Sequence, residues 1–301
     1  TPIWGAEIGI LYVLAISSLG VYGVVLAGYA SNNKYSLLGG LRSAAQLISY
    51  ELAMGFSLAA VVMATGSLKL TEMVKAQEGP LYGIQGMPIQ NWFIFTPWGF
   101  VSAVIFLICM IAETNRAPFD LPEAENEIIA GYHTEYSSMK FAVFFMGEYA
   151  AMFVFGLVFA TVFLGGYNPV PFIWPEGSPM ASLNYWLAPL NFIGKGFLAM
   201  MFYIWLRATL PRLRYDQLMA LGWKSLLPAA VANFIIVAIW IMFTERYGPA
   251  GGWAAWGGAA FITVVLLVMF SRSVKPEDGF PRRTVEMTDG AEPQPTRRSV
   301  E

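Results

Sequence analysis

WFIFTPWGFVSAVIFLICMIAETNRAPFDLPEAENE, residues 92–127, passes from an uncharged apolar run straight into five carboxylates. Nothing charged precedes Glu113 in this stretch. Then Glu113, Asp120, Glu123, Glu125 and Glu127 follow, with Arg116 among them. The apolar part, from Trp92 to Ala112, is about the length a helix needs to cross roughly 30 Å of hydrocarbon. It is apolar on every side, as a helix surrounded by lipid or protein must be.

Working outward, six more segments read the same way. They are Ile8–Ala30, Leu41–Thr65 (interrupted by Glu51), Phe141–Gly165 (interrupted by Glu148), Leu183–Leu206 (containing Lys195), Leu226–Thr244 and Trp253–Phe270. Pro97, Pro189 and Pro228 fall near expected helix starts, where proline is tolerated. The fold class is therefore all-α: a polytopic transmembrane bundle of about seven helices with a partly helical acidic loop. The bundle is expected over residues 1–271, including the loop at 113–140. Residues 272–301, rich in proline and charge, are expected to form a disordered tail. Tryptophans 92, 98, 186, 223, 253 and 256 near helix ends suit an interfacial belt.

Composition agrees. Of 301 residues, 56% are apolar and 13% charged, and the mean hydropathy is +0.54. Soluble domains average about 25% charged residues. A net charge of −2 gives no basic field for nucleic acid. One cysteine (Cys109) and one histidine (His133) cannot hold a zinc ion or an iron–sulfur cluster, so no metal site is expected on this chain. No internal repeat appears, which argues against an inverted-repeat transporter. The opening residues TPIWGAEIGI show no signal peptide. Lysine and arginine fall fourteen to three in favour of the connections on the acidic-loop side. The positive-inside rule then puts the acidic loop and the C-terminus in the cytoplasm.

Local physics leaves two readings of the charged positions. Asp120 could cap a short helix, with Glu123 closing a capping box and Pro122 in the first turn. That explains Glu127 less well, since Glu123 and Glu127 repel mildly at i, i+4. Glu51 and Glu148, flanked by apolar residues, cost at least ~2.5 kcal/mol each if ionised at lipid depth. They either bond a neighbouring helix in protonated form or carry protons. Both are expected to be shielded from acyl chains. Arg42, Gln46 and Tyr50 repeat every four residues on one face leading toward Glu51. This is either a face packed on protein or a hydrated lane. Lys195 is expected to snorkel to the outer interface, and His133 to make an ordinary loop hydrogen bond.

Three stretches carry a family resemblance. AETNRAPFDLPEAENEIIAGYHTEYSSMKFAVFFMGEY, SNNKYSLLGGLRSAAQLISYE and LPRLRYDQLMALGWK closely resemble signature segments of the H-type membrane subunits of bacterial NADH–quinone oxidoreductase. This is the respiratory complex I component called chain 1 in mitochondria. The match runs from about Ile8 to about Leu267, and the first segment is highly specific. That family's chain normally opens with a transmembrane helix, an amphipathic helix and a second transmembrane helix. The first span here matches its third, so the resemblance implies an incomplete chain.

The resemblance implies a subunit without its own catalytic residues, metal or iron–sulfur cluster, set in the bacterial cytoplasmic membrane. It would form part of a quinone chamber and of the acidic path that couples quinone reduction to proton translocation. Glu51, Glu113, Asp120, Glu123, Glu125, Glu127 and Glu148 would lie on the proton path. Arg116, Phe119, Phe145 and Met146 would bind quinone or support the loop. NADH, FMN and iron–sulfur clusters would sit on partner subunits. The partners implied are quinone-site peripheral-arm subunits, small and antiporter-like membrane subunits, lipid and quinone. Two alternatives stand beside it: an anchor subunit of a membrane-bound hydrogenase or deazaflavin-dependent dehydrogenase, and a standalone ion transporter.

Overall fold

The computed structural model describes residues 8–78, 90–120, 131–168, 179–211 and 213–273. Among them the regular elements are helical. In chain order they are α1 (Gly9–Ala30), α2 (Lys34–Thr65), α3 (Leu70–Lys75), a 3-10 turn (Phe93–Phe95), α4 (Pro97–Glu113), α5 (Ser138–Phe163), α6 (Pro179–Thr209), α7 (Tyr215–Ala220) and α8 (Leu227–Ser273). A π-type segment, Leu221–Leu226, joins α7 to α8.

Among the described residues, five helical stretches are long and apolar enough to cross a membrane: Gly9–Ala30, Lys34–Thr65, Ser138–Phe163, Trp186–Thr209 and Tyr215–Gly248. α4 is shorter, at 17 residues, or about 26 Å. The expected seventh span, 253–270, lies in the part of α8 beyond Gly248. There the backbone leaves helical geometry (φ 69, ψ −167). The tail from residue 274 is outside the described residues.

Several boundaries differ from expectation for local reasons. α2 begins at Lys34 rather than near Leu41, because the Asn33 side chain accepts from the Tyr35 amide (3.0 Å) and caps the helix. α4 begins at Pro97, where Thr96 caps it by accepting from Gly99 N (3.2 Å). Pro189 is not near a helix start but lies well inside α6. Trp92 and Trp98 are buried (7% and 6% exposed) rather than interfacial, while Trp186 and Trp223 are exposed.

α2 is the central post. It packs on α1, α4 and α8, while α4 also meets α5, and α5 meets α6. Tyr50, Met54 and Leu58 of α2, Phe106 and Met110 of α4, and Phe163 of α5 are almost wholly enclosed in one apolar core. Without a water-driven hydrophobic effect, helices in lipid associate by close packing of small residues. The α1–α2 crossing follows that rule. A Cβ on Gly28 would lie 2.9 Å from the Ser36 carbonyl oxygen, and one on Gly40 3.2 Å from that of Val24.

The connections gather at two ends. At one, the α1–α2 turn, the loop after α4 and the α6–α7 connection converge. Tyr136 Oη donates to Ala27 O (2.9 Å), Asn33 Nδ2 to Glu135 Oε1 (2.9 Å), and Leu213 N to Pro118 O (3.1 Å). At the other, the wholly buried Gln77 ties three elements. Its amide donates to Met73, Thr161 and Val162 carbonyls (3.1–3.2 Å), and its Oε1 accepts from Phe93 N (3.4 Å) and Gly165 N (3.0 Å).

Lys195 does not snorkel and, among the described residues, meets no acid. Its ammonium donates to the carbonyls of Leu164, Gly166 and Asn168 (2.5, 2.9 and 2.5 Å) and lies 4.5 Å from the Trp92 ring centroid. It closes the C-terminal end of α5, where a cation also suits the helix dipole.

Gln77→Leu keeps the volume but leaves two buried backbone N–H groups without their acceptor. Unsatisfied buried donors cost about 1–3 kcal/mol each. The variant is expected to unfold several degrees lower in thermal denaturation of the detergent-solubilised protein.

Candidate functional site

The site is built at the loop end, from the close of α4 upward. Beyond Glu113 the chain turns sharply. Asn115 takes a positive φ (49), and the Ala117–Pro118 bond is cis. Arg116 N donates back to Ile111 O (3.3 Å) and Phe119 N to Arg116 O (2.8 Å), so the segment folds under the helix end.

One side chain fixes this turn from outside. The fully buried Gln46 of α2 donates its amide to both Ala112 O (3.2 Å) and Phe119 O (3.1 Å). The Tyr50 ring meets Phe119 edge-on at 5.5 Å, and its hydroxyl donates to Leu218 O (3.0 Å). Of the three-residue stripe on α2, Gln46 and Tyr50 are therefore engaged with protein carbonyls. Arg42, one turn earlier, is exposed, with its guanidinium 5.8 Å from the Tyr215 ring centroid.

The turn delivers Arg116 inward, where it is 8% exposed. Its Nε lies 2.6 Å from Glu148 Oε1 of α5, and both side chains are about nine-tenths buried. The guanidinium also stacks over Tyr149 at 4.8 Å. A buried charge needs such a partner. The two sequence-identified residues, one from the loop and one from lipid depth, thus form one pair.

Glu51 and Glu113 make a second group. α2 starts earlier than expected, which puts Glu51 near the middle of a 32-residue helix. The Ser18 hydroxyl of α1 hydrogen-bonds its carboxylate. Glu113 lies close enough for the charges of the two acids to act on one another, and it also interacts electrostatically with Cys109 and Tyr203. Tyr203 Oη donates to Met110 O (3.2 Å), which holds α6 to the end of α4. Glu113 Oε2, Gln46 Oε1 and Asn115 Oδ1 are buried acceptors without a hydrogen-bond partner among the described residues.

The surroundings of the two intramembrane acids differ. Glu148 is enclosed with Arg116. Glu51 is half-buried and lines a cavity of about 480 Å³ between α1 and α2, with Leu14, Ile48, Leu52, Gly55, Phe56 and Ala59.

Phe145 is half-buried and stands between Phe141 (4.6 Å) and Tyr149 (6.5 Å) on one face of α5, and Met146 is 68% exposed beside it. Asp120 is half-buried. Glu123, Glu125 and Glu127 lie outside the described residues, and with them the expected capping box. His133 is buried against Tyr132 and Phe141. No cluster of metal-ligating side chains occurs among the described residues.

Sequence reasoning does not single out Ser18, Tyr149 or Tyr203. Their contacts join residues far apart in the chain, and no local spacing encodes them. Cys109 is different. It stands four residues before Glu113, the spacing that puts two side chains on one helix face.

These features define the class: a polytopic membrane helix bundle that buries an ion pair and holds two interacting carboxylates. The chain belongs to the NADH dehydrogenase family, whose model matches residues 2–238. It is 48% identical over 236 residues to the second H-type component of NADH-quinone oxidoreductase in Koribacter versatilis, covering 78% of this chain and 63% of that one. It is 49% identical over 241 residues to NADH-quinone oxidoreductase subunit 8 of Rhodothermus marinus (77% and 67%). To the H-type component of NADH-quinone oxidoreductase in Thermomicrobium roseum it is 50% identical over 228 residues (75% and 62%). The chain thus spans somewhat under two thirds of the length of most of these curated relatives.

Removing one member of the Arg116–Glu148 pair strands the other charge. Arg116→Met is expected to destabilise the protein by about 3–5 kcal/mol, the range for a broken buried pair. Arg116→Met combined with Glu148→Gln should recover most of that loss. A double-mutant cycle of thermal unfolding in detergent checks the coupling.

Proposed function

We propose that this chain is a membrane subunit of a proton-translocating NADH:quinone oxidoreductase. In that role it forms part of a quinone chamber and relays the charge change of quinone reduction to acids inside the membrane. The observation that carries the proposal is the buried Arg116–Glu148 pair, a direct link between the acidic loop and lipid depth. Family membership and the names of the relatives support the same reading.

In this proposal the loop and C-terminus face the cytoplasm of a bacterial cell, where peripheral-arm subunits bearing FMN and iron–sulfur clusters bring electrons from NADH. Reduction of a quinone takes up electrons and protons together. A headgroup passing Phe145 and Met146 would change the field on Arg116. The guanidinium, held between Glu148 and Tyr149, would redistribute its attraction among the carboxylates around it. Glu51 and Glu113 already feel one another's charge, so a change of charge at one would act on the other. The buried unpaired acceptors Glu113 Oε2, Gln46 Oε1 and Asn115 Oδ1 would be occupied by proton donors along the way. Asp120, Glu123, Glu125 and Glu127 would supply the cytoplasmic end of the route. The antiporter-like membrane subunits would receive the signal or the protons.

The test uses the intact assembly. Glu51→Gln and Glu148→Gln, each confirmed to assemble, are expected to lower proton translocation at least about ten-fold, toward the loss typical of a positioned proton-transfer group. Wild-type pumping and quinone reductase activity in both variants would remove these residues from the mechanism. The chain alone in liposomes is expected to give no proton flux, and a robust flux would favour a standalone transporter.

A further inference from the structure

The segment that follows α5 turns three carbonyl oxygens toward one point. Leu164, Gly166 and Asn168, alternate residues, each accept from the ammonium of Lys195, at 2.5, 2.9 and 2.5 Å. Gly165 and Gly166 both take positive φ (70 and 56), which glycine adopts at little steric cost. Neither has room for a side chain. A Cβ on Gly165 would run into the Trp92 indole, and one on Gly166 into Val74.

The amides of this segment are engaged elsewhere. Gly165 N donates to Gln77 Oε1 (3.0 Å), Gly166 N to Ala160 O (2.9 Å) and Asn168 N to Gly165 O (3.1 Å). Among the described residues the three inward carbonyls take no backbone N–H. A helix end commonly leaves such carbonyls to water or to a basic side chain of its own last turn. Here the cation comes from a different helix, and the carbonyls run from the C-cap outward into the loop. Gly196, next to Lys195, brings α6 close to α5: a Cβ there would lie 2.8 Å from Leu157 and Phe153 side-chain atoms.

The remaining side of this cage is the Trp92 ring, whose centroid is 4.5 Å from Lys195 Nζ, a cation–π distance. Among the described residues no carboxylate lies within ion-pair distance of the ammonium. Neutral oxygens and an aromatic face suit a single, diffuse positive charge. Backbone carbonyls replace the water shell of a potassium ion in the same way, whereas calcium sites recruit carboxylates.

We propose that the loop Leu164–Asn168 is a monovalent-cation site of the ammonium and potassium class. Its occupant in this protein is the tethered ammonium of Lys195, and a free ion of that class takes the place once the tether is removed. The inference needs only the geometry of the loop and is independent of the quinone-chamber reading.

The test is hydrogen exchange of the solubilised native assembly, read by mass spectrometry on the peptide that holds Gly165, Gly166 and Asn168. Lys195→Ala empties the cage, and exchange at these amides is expected to rise about ten-fold, the factor for stranding a buried polar group. Ammonium chloride should restore wild-type protection to Lys195→Ala. Tetramethylammonium chloride at the same ionic strength, whose cation is too large to enter, should not. Wild type should respond to neither salt. Lys195→Met keeps a neutral stem in the cage, so its exchange should rise and stay high in both salts. Wild-type protection in Lys195→Met would overturn the proposal, as would a Lys195→Ala variant that responds to neither salt or equally to both. Failure of Lys195→Ala to assemble would also overturn it, since the cell's own potassium should fill the emptied cage.

Discussion

The amide of Gln46 holds the site together. Two carbonyls, Ala112 and Phe119, bracket the turn that leaves α4, and one side chain from a different helix satisfies both. In a membrane no solvent is present to take over those acceptors, so such a bond cannot be exchanged for water. With Ala112 and Phe119 pinned, the residues between them have little freedom, and Arg116 is carried inward rather than out to solvent. The Arg116–Glu148 pair is thus a consequence of a hydrogen bond made by a neutral residue on α2.

The opposite end uses the same device. Gln77 collects five hydrogen bonds from three elements, and Lys195 collects three carbonyls beyond α5. α5 is therefore anchored at its far end by a lysine and nearer its middle, at Glu148, by an arginine. Both cations sit where an unpaired charge would be expensive: Lys195 is met by three carbonyls and Arg116 by the Glu148 carboxylate. Fixed oxygens hold a helix in register better than lipid can, and α5 carries Phe145, Met146, Glu148 and Tyr149.

Much of this architecture is legible in the chain. Apolar run length locates the spans, and the isolated acids in them flag Glu51 and Glu148. What stays hidden has specific causes. The start of α2 escapes notice because Asn33 caps it through a polar sequence that reads as loop. Trp92 and Trp98 read as interfacial because hydropathy cannot tell a protein-facing tryptophan from a headgroup-facing one. Lys195 reads as a snorkelling residue because its three acceptors are backbone atoms, which no sequence pattern displays. The polar stripe of Arg42, Gln46 and Tyr50 is visible by spacing. Its engagement with Phe119 and Leu218 depends on chain reversals more than sixty residues away. Arg116 and Glu148 can each be identified alone, and only the folded turn brings them together.

α2 has one further property. At 32 residues it is about 48 Å long, against roughly 30 Å of hydrocarbon. It is one unbroken rod bearing Gly39 against Gly131 at its emergent end and Glu51 near its middle. A stiff spar of this kind cannot bend locally to absorb a push. Any tilt imposed where it leaves the bilayer must reappear as a sideways shift of the carboxylate within, so mechanical and electrical signals would travel along the same shaft.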